Sequence, residues 1–142
     1  MADRIPLFEI AWDEQEILNA VESIGRGGYW AKGPFVDEFE DELESYFDVE
    51  HAVVVNSGTS GLVAALEAAG IGDGDEVIVP SITFGSTATA VVHQAGVPVF
   101  ADIDRELYTL DHTDLERCLS DRTEAVMPVH LYGHPAEMDE IC

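Results

Sequence analysis

The sequence is poor in basic residues, with six lysines and arginines among 142 residues, against 29 aspartates and glutamates. The formal net charge is -23 at pH 7. With so few cations, the chain cannot bind nucleic acid by neutralising its phosphates. It also lacks the basic patch that binds proteins to anionic lipid. Hydrophobic residues make up 46% of the chain, which excludes an acidic disordered polymer.

Cysteines and long apolar runs are also scarce. Cys118 and Cys142 have no CxxC spacing and no clustered partners, so we predict free thiols in a reducing compartment and no metal site. The first residues lack the apolar segment of a secretion signal, and no run reaches the roughly 18 apolar residues of a membrane span. The sequence therefore predicts a cytoplasmic protein without a membrane segment.

The acidic residues are spread along the whole chain and do not form a tail. A folded protein usually avoids such self-repulsion, but at 1 M salt the Debye length falls to about 3 Å. We therefore predict a salt-adapted, halophilic cytoplasm, with an ordinary acidic surface as the alternative.

Residues 1–50 have the pattern of a helical segment. Asp13 and Glu16 have the spacing of a capping box, and the apolar residues that follow fall on one helical face. Residues 25–28 (GRGG) end this helix, and residues 29–33 (YWAKG) form an aromatic loop. Pro34 suits the start of a second, acidic helix.

Residues 51–142 alternate between short apolar strands and helices. We predict strands at 52–55, 76–79, 97–101 and 125–129, and helices at 58–69, 86–95 and 113–119, the last with a capping box from Thr113 to Glu116. Strands that are apolar throughout and separated by helices indicate an α/β fold, with a mostly parallel sheet covered on both faces. The pattern stops one turn into a further helix, so we predict the first part of a larger, truncated domain.

The most informative segment runs from the strand at 52–55 into the next helix. Gly58, Thr59 and Ser60 lie at the start of that helix, where free N–H groups and the helix dipole favour an anion, most naturally a phosphate. The alternative is a plain helix cap without a ligand. No Gly-Lys-Ser/Thr of a P-loop follows, and Gly70, Gly72 and Gly74 stand in the wrong order for a dinucleotide fingerprint.

Three further side chains follow predicted strands. Phe84 could stack on a planar ring at the carboxyl edge of the sheet, or be a core residue. Asp102 is either a functional carboxylate or, as we prefer, a turn residue. For His130 a substrate-side role and a hydrogen-bonded structural role remain equally open.

Six segments, taken in order, resemble the DegT/StrS-type sugar aminotransferases. The similarity covers nearly all of the chain from about residue 5. The matching segments are residues 33–40 (GPFVDEFE), 56–59 (NSGT), 74–80 (GDEVIVP), 83–84 (TF), 98–100 (PVF) with 102–104 (DID), and 128–133 (PVHLYG) with 138–139 (MD).

The resemblance implies a pyridoxal-phosphate enzyme with the aspartate-aminotransferase fold. It implies that Gly58, Thr59 and Ser60 bind the cofactor phosphate and that Phe84 stacks on its ring. It also implies a homodimer that transfers an amino group from an amino acid to a keto nucleotide-sugar, for amino-sugar or polysaccharide synthesis. The substrate-side candidates are Tyr29, Trp30, Lys32 and His130.

The chain departs from the family because it lacks the Schiff-base lysine and the carboxylate that binds the pyridinium nitrogen, both of which the resemblance places after residues 138–139. The chemistry needs a lysine that holds the cofactor as a Schiff base, and the only lysine, Lys32, precedes the phosphate turn. The resemblance places the Schiff-base lysine beyond Cys142, so we expect no catalytic residue in this chain and no activity from it alone. A sugar dehydratase of the same family, and a non-catalytic module or one half of a split protein, remain as alternatives.

Overall fold

The computed structural model describes residue 6, residues 8–28 and residues 33–142. The chain divides into two compact units, Met1–Val54 and Val55–Cys142. The first unit contains α1 (Glu14–Gly25) and α2 (Pro34–Phe47). The elements of the second unit are, in order, α3 (Gly58–Ala68), β1 (Glu76–Pro80), α4 (Ser86–His93), β2 (Val97–Ala101), α5 (His112–Cys118), β3 (Thr123–Val126), a 3₁₀ turn (Leu131–Gly133) and α6 (Met138–Ile141).

Both predicted helices of the first unit are confirmed. The Asp13 carboxylate accepts a hydrogen bond from the N–H of Gln15 at 2.7 Å, and the Glu16 carboxylate accepts one from the N–H of Asp13 at 2.6 Å. The Asp13 side chain also accepts the N–H of Glu16, and this bond forms the predicted capping box together with the bond from the Asp13 N–H to Glu16. Pro34 is the first residue of α2, where its missing N–H removes no helical hydrogen bond.

The strand predicted at residues 52–55 is wrong, because this segment has no strand partner among the described residues. The N–H groups of Ala52 and Val54 donate instead to the carboxylates of Glu44 and Glu40, at 3.0 and 2.8 Å. The β-branched residues made the segment look like a buried strand, yet the side chain of Val53 is 79% exposed. High β-propensity alone does not make a strand, because a strand also needs a second strand to which its backbone can hydrogen-bond.

The other three predicted strands form one parallel sheet in the order β2-β1-β3. In β1, Val77 and Val79 pack on one face with buried residues of α3 and α4, whereas Ile78 packs on the other face with Leu110 and with Leu115 of α5. All three β1 side chains are fully buried. This arrangement confirms the α/β fold with a parallel sheet covered on both faces.

Two local predictions in this unit need correction. Helix α5 is capped by Asp111 and not by Thr113: the Asp111 carboxylate accepts hydrogen bonds from the Thr113 hydroxyl and N–H, both at 2.8 Å. The same bonds hold the pKa of Asp111 below its usual value. Strand β3 starts two residues before the predicted range and ends three residues before its end, and the N–H of Met127 donates the last hydrogen bond to β1, to the carbonyl of Ile78 at 2.8 Å.

Within the described residues, no helix combines the length and the apolar character needed to cross a bilayer.

Candidate functional site

An open cavity of about 560 Å³ lies in the second unit. Its walls come from three places: the first turn of α3, the segment that joins β1 to α4, and the segment that follows β3. Two of these segments follow the carboxyl ends of parallel strands, where open α/β sheets place their ligands. The lining residues are Gly58, Thr59, Leu62, Thr83, Phe84, Ser86, Thr87, Met127, Pro128, Val129, His130, Leu131 and Tyr132.

The first turn of α3 presents free backbone donors to this cavity. Ser57 is the N-cap, and its hydroxyl accepts the N–H of Ser60 at 3.1 Å. The N–H groups of Gly58 and Thr59 have no acceptor among the described residues. Two unpaired amides and the positive end of the α3 dipole therefore face the cavity, which is an arrangement that binds anions.

Ser60 differs from its two neighbours, because it does not line this cavity. Its hydroxyl donates to the side-chain oxygen of Asn56 at 2.7 Å and lies 3.0 Å from the hydroxyl of Ser57. Its N–H is already bonded to Ser57. Ser60 therefore ties the turn together on the side away from the cavity.

Phe84 and a pair of threonines form the second wall. The side chain of Phe84 is 78% exposed, so it does not belong to the core. Its carbonyl accepts the N–H of Thr87 at 3.0 Å, which fixes the backbone at the start of α4. The hydroxyls of Thr83 and Thr87 are 3.0 Å apart. Thr87 was assigned no site role from the sequence, and Thr83 entered only as part of a matching segment.

His130 lines the third wall, directly after the turn away from β3. Its Nδ1 accepts a hydrogen bond from the N–H of Ala136 at 2.9 Å. Asp102 does not line this cavity; its carboxylate accepts the N–H of Ile103 at 3.2 Å and a weak bond from the Ser81 hydroxyl at 3.4 Å. That geometry agrees with the preferred turn role of Asp102.

Tyr132 is a lining residue that sequence reasoning missed. It adopts the left-handed conformation (φ 54°, ψ 25°), which non-glycine residues rarely occupy. Its side chain is 87% exposed, so no packing explains the strain. The available sequence signal was an aromatic residue beside Gly133 in a segment that follows a buried strand.

The structure therefore brings Gly58, Thr59, Phe84 and His130 to one cavity. The substrate-side candidates Tyr29, Trp30 and Lys32 lie outside the described residues.

Comparisons with known proteins agree with this fold. Residues 12–142 match the model of the DegT/DnrJ/EryC1/StrS aminotransferase family. The spore coat polysaccharide biosynthesis protein SpsC of Bacillus subtilis is 46% identical over 127 residues, which are 89% of this chain and 32% of SpsC. The GDP-perosamine synthase of Caulobacter vibrioides is 47% identical over 109 residues, which are 77% of this chain and 29% of the synthase.

A solved structure leads to the same family. The crystal structure of S. venezuelae DesV in complex with a ketimine intermediate superposes with a TM-score of 0.81 at 41% identity, over 89% of this chain and 34% of DesV. The chain spans about a third of the length of these relatives. By its matching residues and its fold, the chain belongs to the DegT/DnrJ/EryC1/StrS aminotransferase family.

Proposed function

We propose that this chain forms part of the cofactor site of a pyridoxal-phosphate-dependent aminotransferase. The intact protein would transfer an amino group from an amino acid to a keto nucleotide-sugar, in the synthesis of amino sugars for a polysaccharide or a related glycoconjugate. One observation carries the proposal: in a member of this family, the free amides of Gly58 and Thr59 and the exposed ring of Phe84 line one cavity.

The residues of the cavity fit pyridoxal phosphate. Gly58 and Thr59 would hold the phosphate through their N–H groups, which have no other acceptor among the described residues. Phe84 would stack on the pyridine ring, since its side chain is exposed at the cavity wall. Ser60 would contribute by orienting the turn through Asn56 and Ser57. When bound, the cofactor supplies the electron sink for amino-group transfer.

The rest of the machinery is also part of this proposal. Tyr29, Trp30, Lys32 and His130 would act on the substrate side, and the Schiff-base lysine would come from outside this chain, which alone would be inactive. We further propose that the protein works as a homodimer in the cytoplasm of a salt-adapted, halophilic cell. The charge of -23 and the acidic surface support the salt-adapted part of this proposal.

The direct test supplies the intact protein with pyridoxal phosphate, glutamate and a keto nucleotide-sugar. We expect mass spectrometry to detect an amino sugar that forms in step with 2-oxoglutarate. A sugar product that has lost a hydroxyl and gained no nitrogen would replace the aminotransferase with a dehydratase. An intact protein that does not bind pyridoxal phosphate would contradict both and favour a non-catalytic module.

Tyr132 provides a second test of the same site. Replacing Tyr132 by glycine should raise the free energy of unfolding by up to about 1 kcal/mol, because glycine tolerates the left-handed backbone. The affinity for pyridoxal phosphate should fall, because the ring forms part of the cavity wall. Thermal unfolding and a binding titration measure the two effects.

Tyr108 offers a matched control for Tyr132. It has the same strained backbone (φ 59°) and is 55% exposed, but it does not line the cavity. Tyr108→Gly should therefore change stability in the same direction and leave the affinity unchanged. Equal affinities for wild type and Tyr132→Gly would remove Tyr132 from the site.

A further inference from the structure

The hydrogen bond between His130 and Ala136 determines which ring nitrogen of His130 carries a proton. A backbone N–H can only donate, so the Nδ1 atom that accepts from Ala136 at 2.9 Å must be unprotonated. A neutral imidazole then carries its proton on Nε2. The side chain of His130 is therefore a hydrogen-bond donor at Nε2 and has no free acceptor nitrogen.

The surrounding turn keeps this arrangement in place. Ala136 is 4% exposed, so its N–H would lose its partner in a poorly hydrated position if Nδ1 were protonated. The N–H of Gly133 donates to the carbonyl of His130 at 3.1 Å, and the N–H of His134 donates to the carbonyl of Leu131 at 3.0 Å. The turn therefore holds both the backbone and the ring of His130.

Nε2 is the ring nitrogen of His130 that remains available to a ligand, because Nδ1 is already bonded to the Ala136 amide. His130 is exposed and lines the same cavity as Gly58, Thr59 and Phe84, while its Nδ1 edge faces the chain at Ala136. A ligand that forms a hydrogen bond with this ring would therefore do so through the Nε2–H group. Such a group binds an oxygen that accepts hydrogen bonds and disfavours a second donor.

We propose that His130 binds the cavity's ligand as a fixed Nε2–H donor to an acceptor oxygen of that ligand, and that the Ala136 amide sets this tautomer. The ligand side of this inference rests on the proposed function, in which pyridoxal phosphate occupies the cavity. The inference keeps the structural role of His130, through the bond at Nδ1. It moves the other role from the substrate to the cofactor, through a bond at Nε2 that operates together with the first.

Two measurements test the proposal in the intact protein. Long-range ¹H–¹⁵N spectra of the imidazoles, without ligand, should show that His130 is protonated at Nε2 and bare at Nδ1. Titration with pyridoxal phosphate should then compare wild type with two variants. His130→Asn keeps an acceptor near the position of Nδ1 and loses the distal donor, whereas His130→Gln keeps a distal donor and loses the acceptor for Ala136.

We expect His130→Asn to unfold at the wild-type temperature and to bind pyridoxal phosphate roughly 3- to 10-fold more weakly, the effect of one lost neutral hydrogen bond. His130→Gln should retain more of the affinity and lose thermal stability. A spectrum that places the proton on Nδ1, or an His130→Asn variant that binds as tightly as wild type, would overturn the proposal. If the wild type itself does not bind pyridoxal phosphate, the proposed function and the donor role both fail, whereas equal binding by wild type and His130→Asn rejects the donor role alone.

Discussion

Replacing Gly58 by proline should weaken the binding of pyridoxal phosphate to the intact protein by about ten- to a hundredfold. Proline removes the N–H of Gly58, one of the two unpaired amides that face the cavity. A hydrogen bond to a charged acceptor contributes about 1.5–3 kcal/mol, and a tenfold change in affinity corresponds to about 1.4 kcal/mol. A binding titration at one fixed salt concentration measures the change.

The backbone at this position accepts proline, so the loss is specific to the donor. Gly58 is the first residue of α3, where proline is favoured, and Ser57 before it is extended (φ -163°, ψ 155°), as a residue that precedes proline should be. A Cβ added at Gly58 meets no atom within 4 Å. We therefore expect the free energy of unfolding to stay the same or to increase slightly.

Two controls separate the amide from other effects of the substitution. Gly58→Ala adds a Cβ but keeps the N–H, so the difference between the alanine and proline variants reports the amide. Glu14→Pro makes the same change at the first residue of α1, outside the cavity, and should leave the affinity unchanged. If the proline and alanine variants bind equally, the Gly58 amide does not hold the phosphate.

Sequence patterns predicted those parts of the fold that depend on neighbouring residues in the chain. The capping box of α1 joins residues three apart, and Pro34 and the glycines after the helices act on the adjacent backbone. The strands β1 and β2 followed from short apolar runs that end in a proline or in a polar turn. The turn proposed to bind phosphate also lies within one stretch of the chain, so Gly58 and Thr59 could be singled out from the sequence.

The features that sequence reasoning missed depend on partners farther away. Residues 52–55 have strand-like composition, yet their N–H groups bond to carboxylates of α2, and no composition rule specifies that choice. The tautomer of His130 depends on the amide of Ala136, six residues later, and on the turn between them. The left-handed backbone of Tyr132 belongs to the same turn and leaves no clear mark in the sequence.

Raising the KCl concentration from about 0.1 M to 2 M should increase the free energy of unfolding of the intact protein by an amount on the order of several kcal/mol. The charge of -23 creates repulsion along the whole chain, and the Debye length falls from about 10 Å at 0.1 M to about 3 Å at 1 M. Helix α2 alone contains three like-charged pairs at i,i+4 spacing, 37 with 41, 38 with 42 and 40 with 44. Each such pair costs roughly 0.2–0.5 kcal/mol before screening.

Five of the six acidic side chains of α2 fall into two groups that make this prediction testable. Glu40 and Glu44 accept backbone N–H groups, so they stabilise the fold at any salt concentration. The carboxylates of Glu38, Asp41 and Glu42 are exposed and accept no hydrogen bond among the described residues. These three side chains therefore contribute mainly charge repulsion. Denaturant unfolding at several KCl concentrations would compare the two groups.

The triple variant Glu38→Gln, Asp41→Asn and Glu42→Gln should be more stable than wild type at low salt and should gain less stability from added KCl. The matched double variant Glu40→Ala and Glu44→Ala should be less stable at every KCl concentration, because the amides of Ala52 and Val54 lose their acceptors. An unchanged salt slope in the triple variant would show that KCl acts through apolar burial and not through charge screening, and the salt-adapted interpretation of the acidic surface would then fail.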